Sequence, residues 1–156
     1  MDLGLKGRKA IITGGSRGLG RAAAETLASE GCDVAICSRG ADGVEEAKKS
    51  LEAKGVKVFA RAVDVGDKEA LESFVADAID DLGGLDILVS NPSGGNGVDE
   101  AAWKANFEVD MMGAVRSANA AVKAWYDSPE YQAVVGKRLE ATDGFAVISE
   151  SMNVGG

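Results

Sequence analysis

The chain has 156 residues, a formal net charge of −8 at pH 7 and no histidine. That length suits one domain, burying roughly 68–70% of the surface its unfolded form exposes. The acidity speaks against nucleic acid and anionic membrane surfaces as partners, and the missing histidine removes Ser-His and Cys-His catalysis and most zinc sites, so no metal is expected.

Residues 1–9 form a polar lead-in. The apolar run Ala10-Ile11-Ile12 is too short for a helix and is followed closely by glycines, which predicts a strand. From Arg21 the residues are mostly good helix formers, stopped by Gly31. Residues 33–38 read as a second buried strand, 42–54 as a charged helix ending at Gly55, and 56–63 as a third strand. Asp64-Val65-Gly66-Asp67 is a turn, with Asp67 placed to cap a helix running to about residue 82. Leu71, Phe74, Val75, Ala78, Ile79 and Leu82 give that helix one apolar face, and Gly83-Gly84 ends it. Residues 85–90 read as a fourth strand, followed by a glycine-rich loop to Gly97. Trp103, Phe107, Met111, Ala114, Ala118, Ala121 and Trp125 mark one face of a long helix, and both tryptophans are expected to pack in the core. Ser128-Pro129-Glu130 has the N-cap and N1 pattern of a short further helix. Residues 145–149 read as a fifth strand.

Alternating strands and helices predict a parallel sheet with right-handed crossovers and helices on both faces. Cys32 and Cys37 lie in or beside an apolar run, which favours buried free thiols and a reducing compartment, the cytoplasm. No apolar stretch reaches the length of a membrane span and no signal-peptide pattern is present, so no membrane contact is expected.

A strand that feeds a helix through glycines makes an anion site, because the first-turn N–H groups lack internal partners and the helix dipole favours negative charge there. Gly14, Gly18 and Gly20 leave room for a pyrophosphate against the backbone; the alternative is a plain tight turn. The adenosine ribose of a dinucleotide lies at the end of the second strand, where an acid bonds a 2′-hydroxyl and an arginine accepts a 2′-phosphate. Here that strand ends Cys37-Ser38-Arg39, Asp33 lies at its wrong end, and Arg17 adds a second positive charge in the glycine loop. This favours NADP(H), with NAD(H) as the alternative; each arginine taken singly also fits an ordinary surface residue.

Thr13-Gly14-Gly15-Ser16-Arg17-Gly18-Leu19-Gly20 resembles the cofactor loop of the short-chain dehydrogenase/reductase family. The resemblance runs from about Leu5 along nearly the whole chain. Asp64-Val65 stands where the family meets the adenine ring, although Asp64 equally suits a capped turn. Ser90-Asn91-Pro92-Ser93-Gly94 stands where the family carries Asn-Asn-Ala-Gly; Asn91 matches, while Ser90, Pro92 and Ser93 depart. The resemblance implies an α/β fold, a Rossmann-like doubly wound parallel sheet over one domain, residues 1–156, without the last strands of the family fold.

The family's catalytic set is Asn, Ser, Tyr and Lys. The resemblance places Asp110 at the Asn position and Ser151 at the Ser position; without it Ser151 reads as a loop serine after a strand. An ionised Asp accepts a hydrogen bond but cannot donate one. The family's Tyr-x-x-x-Lys motif is not found: Tyr126 and Tyr131 are followed four residues on by Glu130 and Val135. The chain then corresponds to the cofactor half of a longer family member. The implied reaction is hydride transfer between nicotinamide and a small-molecule carbonyl or alcohol; the rival reading is a non-catalytic dinucleotide-binding or scaffold module. An unpaired edge on the fifth strand predicts a homo-oligomer.

Overall fold

The computed structural model describes residues 3–140; the strand expected over 145–149 and Ser151 lie outside the described residues. The chain divides into two compact units, Met1–Ala124 and Trp125–Gly156. In chain order the elements are β1 (Lys9–Thr13), α1 (Gly18–Ser29), β2 (Asp33–Ser38), α2 (Ala41–Glu52), β3 (Val58–Ala62), α3 (Lys68–Leu82), β4 (Ile87–Ser90), α4 (Glu100–Asn106), a π turn (Phe107–Met112), α5 (Gly113–Tyr126) and α6 (Pro129–Glu140).

The four strands form one sheet in the order β3-β2-β1-β4, and every pairing is parallel. Ile11 stands opposite Ala35 on one side and Leu88 on the other; Ile12 stands opposite Ile36 and Val89. Side chains alternate along a strand, so neighbouring apolar residues enter different cores. Ile11, Ala35 and Cys37 pack with Leu71, Phe74, Val75, Ala78 and Leu82 of α3. Ala10, Ile12, Val34 and Ile36 pack on the opposite face with Ala24 and Ala28 of α1 and Ala47 and Leu51 of α2. Helices therefore cover both faces, which is why β1 and β2 read as unbroken apolar runs.

The local signals act where expected. Asp67 Oδ1 accepts from the Ala70 N–H at 3.1 Å and caps α3. The Gly83 N–H closes the far end of α3 on Ile79 O at 2.9 Å. α1 begins at Gly18, within the glycine motif, ahead of the run of good helix formers. In the second unit Ser128 Oγ accepts from the Tyr131 N–H at 3.3 Å, so α6 starts at Pro129; it is a full twelve residues long. The Tyr131 ring lies 4.1 Å from that of Trp125 and 5.2 Å from that of Tyr126, centroid to centroid.

The expected core packing of Trp103 and Trp125 is corrected: they are 68% and 55% exposed. The long helix turns its small residues inward instead. Gly113 and Ser117 are buried, and a Cβ on Gly113 would already touch Val65 Cγ2 at 3.5 Å. A helix that close leaves no room for an indole. Ser117 tolerates burial because its hydroxyl donates to Gly113 O at 2.9 Å. Among the described residues no helix is long and apolar enough to cross a membrane.

Candidate dinucleotide site

In the order β3-β2-β1-β4 the chain leaves β1 toward β2 and returns on its other side at β4. The crevice of such a sheet opens at the carboxyl ends of the two strands flanking that reversal. Gly14 follows β1 and Asn91 follows β4, so the two loops that bound the crevice begin there.

These loops touch backbone to backbone. The Asn91 N–H donates to Thr13 O at 3.3 Å. A Cβ on Gly14, whose φ is +69°, would lie 2.6 Å from Asn91 O. A Cβ on Gly20 would lie 2.3 Å from Gly14 O and 2.8 Å from Asn91 Nδ2. Gly14 and Gly20 thus let α1, the glycine loop and Asn91 close on one another, as the sequence reading requires of a cofactor loop.

The N-terminus of α1 suits an anion. No side chain caps it, its first turn holds no acid, and the space in front of Gly18 is open. Leu19 is exposed and Gly20 is buried. The residues present therefore fit a pyrophosphate, held by the first-turn N–H groups. Arg21 reaches back to the loop through Nη1, which donates to Ser16 O at 3.5 Å, while its Nε donates to Glu25 Oε1 at 2.7 Å. That guanidinium holds the Glu25 carboxyl below its ordinary range.

At the end of β2 the Ser16 and Ser38 hydroxyls lie 2.7 Å apart, so the glycine loop and β2 are joined through them. Arg17 and Arg39 are both exposed. Neither guanidinium is engaged by another side chain among the described residues. Under this rim burial pushes the Cys37 thiol up to about 12. Burial, with Asp86 and Asp33 adding to it, also raises Cys32, and both cysteines are buried and free.

At the end of β3 the exposed Asp64 accepts from the Gly66 N–H at 2.9 Å and closes a tight turn. Val65 is buried in the α3 core, so only its backbone is available to a ligand. Beyond β4 Asn91 and Pro92 are half-buried and Ser93 is exposed, its Oγ accepting from the Gly95 N–H at 3.3 Å. Asp110 lies in the π turn and accepts from the Gly94 N–H at 2.8 Å. Its carboxylate is tied to the loop after β4, a role that needs an acceptor only.

The sequence reading missed Arg116, whose Nη1 donates to Gly66 O at 3.1 Å and whose Nη2 donates to Glu108 Oε2 at 2.7 Å. No local spacing could have marked it, since Gly66 is fifty residues away in sequence. The π turn, in which the Gly113 N–H reaches back to Glu108 O, was equally silent. Wide turns of this kind occur often at functional sites.

Comparison with known proteins agrees with this geometry. General stress protein 39 of Bacillus subtilis is 47% identical over 88 residues, which is 56% of this chain and 31% of that protein. The L-sorbose reductase of Gluconobacter frateurii, solved with NADPH and L-sorbose, is 39% identical with a TM-score of 0.73 over 79% of this chain and 49% of its own. Carveol dehydrogenase of Mycobacterium avium, solved with NAD, is 27% identical with a TM-score of 0.71 over 76% of this chain and 49% of its own. The chain thus spans about half the length of these solved structures and less than a third of the stress protein. The family model described as short chain dehydrogenase matches residues 8–135, and with the glycine loop packed on Asn91 as above, the chain belongs to that family.

Proposed function

We propose that this protein is an NADP(H)-dependent oxidoreductase acting on a small-molecule carbonyl or alcohol. The observation that carries the reading is the glycine cradle: an uncapped α1 N-terminus with open space before it, pressed against Asn91 where no Cβ would fit. When bound, the nicotinamide supplies or takes up a hydride. The chain's own residues bind and orient. The backbone of Gly18, Leu19 and Gly20 holds the pyrophosphate. Ser16, Ser38, Arg17 and Arg39 ring the adenosine ribose, Asp64 and Val65 face the adenine, and Asn91, Pro92 and Ser93 line the nicotinamide side. Asp110 holds that last loop through Gly94. Ser151 would hold the substrate oxygen.

Two unengaged arginines favour the 2′-phosphate over a 2′-hydroxyl. The test is a fluorescence titration with NADPH and NADH. Arg39→Ala is expected to weaken NADPH by about 1.5–3 kcal/mol, the size of one charge-assisted contact, and NADH far less. Equal weakening of both would overturn the preference.

The rival reading is a dinucleotide-binding module without catalysis. NADPH oxidation with a reactive diketone separates the two. We further assign residues 1–156 to one cofactor domain, a cytoplasmic location on the strength of the two buried free thiols, and self-association into a homo-oligomer.

A further inference from the structure

We infer that Arg116 is a positioning residue that sets the adenine end of the cofactor site. The inference rests on the dinucleotide reading proposed above. The Arg116 side chain is only 17% exposed, although it carries a full charge on the flank of α5. Its Nη1 donates to Gly66 O at 3.1 Å and its Nη2 to Glu108 Oε2 at 2.7 Å.

Gly66 completes the turn that begins with Asp64 and Val65, the residues assigned to the adenine. That turn is fixed from within by Val65, buried under Gly113, and by the bond from the Gly66 N–H to Asp64 Oδ1 at 2.9 Å. Its Gly66 carbonyl is held by Arg116. The second partner, Glu108, belongs to the π turn, and the same π turn carries Asp110, bonded to the Gly94 N–H at 2.8 Å. One guanidinium therefore joins the loop after β3 to the π turn, and the π turn holds the loop after β4. The two loops stand at opposite ends of an extended dinucleotide.

The residue type matters. A guanidinium is a planar fork that donates to two acceptors in different directions at once, whereas an ammonium is a point charge on a flexible stem. An ion pair serving helix stability alone would need only Glu108. The bond to a loop carbonyl fifty residues away gives Arg116 a task in the site. Holding that loop in its bound geometry before the ligand arrives removes an ordering cost from binding.

The test titrates NADPH and 2′-phospho-ADP, the adenosine half of NADPH alone, into the full chain and into Arg116→Met, Arg116→Lys and Glu108→Gln, well below their melting temperatures. Melting is measured separately without ligand. Arg116→Met is expected to weaken both ligands by the same factor, about tenfold. Arg116→Lys recovers part of the loss, and Glu108→Gln loses less because the Gly66 bond remains. Unchanged affinity for both ligands in Arg116→Met, at any melting temperature, overturns the inference and leaves a stabilising role. If Arg116→Met does not fold, wild-type affinity in Arg116→Lys and Glu108→Gln together overturns it in the same way. Binding by the wild type with no change in the variants sinks this inference alone; failure of the wild type to bind either ligand sinks the dinucleotide reading with it.

Discussion

At the scale of single residues the site depends on atoms that are not there. A Cβ on Gly20 would lie 2.3 Å from a backbone oxygen, Gly14 O, and a backbone oxygen cannot rotate away. A Cβ on Gly18 would meet nothing within 4 Å, and only its φ of +57° opposes a side chain. Gly20→Ala is therefore expected to cost about 1–3 kcal/mol through overpacking, and to remove dinucleotide binding. Gly18→Ala should cost about 1–2 kcal/mol from its left-handed backbone alone, with the loop still closed on Asn91. Urea denaturation with NADPH titration checks the pair; binding retained by Gly20→Ala and lost by Gly18→Ala would mean the loop does not pack as described. The glycines were legible in the sequence because their spacing is local. Asp110 was legible only by position: its partner Gly94 comes from a loop with no spacing rule, and the carboxylate at that site makes sense once an N–H is seen to need an acceptor. The Ser16–Ser38 contact joins two residues already singled out, but folding alone brings them together.

At the scale of elements the sheet is tied at its entrance by one carboxylate. Asp86, just before β4, accepts from the Lys9 N–H at 2.9 Å and from Arg8 Nη1 at 2.8 Å, while its own N–H donates to Lys9 O. Partial burial raises the Asp86 carboxyl, but the Lys9 N–H and the Arg8 guanidinium outweigh it and hold the group below its ordinary range. A depressed carboxyl contributes stability above its unfolded pKa, near roughly 3.9, and loses it as pH falls through the folded value. Asp86→Asn is thus expected to cost about 1 kcal/mol at pH 7. The gap between variant and wild type should close on going below about pH 4. A gap constant from pH 7 to pH 2 in chemical denaturation would contradict this. The strands and the first three helices were readable because their periodicity is strong and glycines punctuate them. The long helix was readable as a helix but its packing face was not: its largest apolar residues sit on the outer face, and the face it packs with is made of Gly113, Ser117 and Ala120, which carry almost no hydrophobic signal. The π turn has no compositional mark either.

At the scale of the molecule the outward apolar residues call for cover. Trp103, Phe107, Met111, Val115 and Val122 are all exposed along α4, the π turn and α5. Contiguous apolar surface of this kind is uncommon on a lone soluble domain. The proposed self-association is expected to appear in sedimentation as a mass that rises with protein concentration; a concentration-independent monomer would contradict it.

The strand order has one more consequence, for how the sheet assembles. The contacts of β2 with β3 close a span of 24 residues, as between Lys57 and Asp33, whereas those of β1 with the start of β4 close one of 77, as between Lys9 and Asp86. Longer spans cost more chain entropy to close and slow the step that needs them. The strands β1, β2 and β3 then come together first with α1 and α2, and β4 docks last onto a sheet already formed. Native-state hydrogen exchange should show the β4 amides opening at a lower free energy than those of β2, so the β1–β4 pairing, at whose carboxyl end the crevice opens, is also the seam along which the molecule first comes apart.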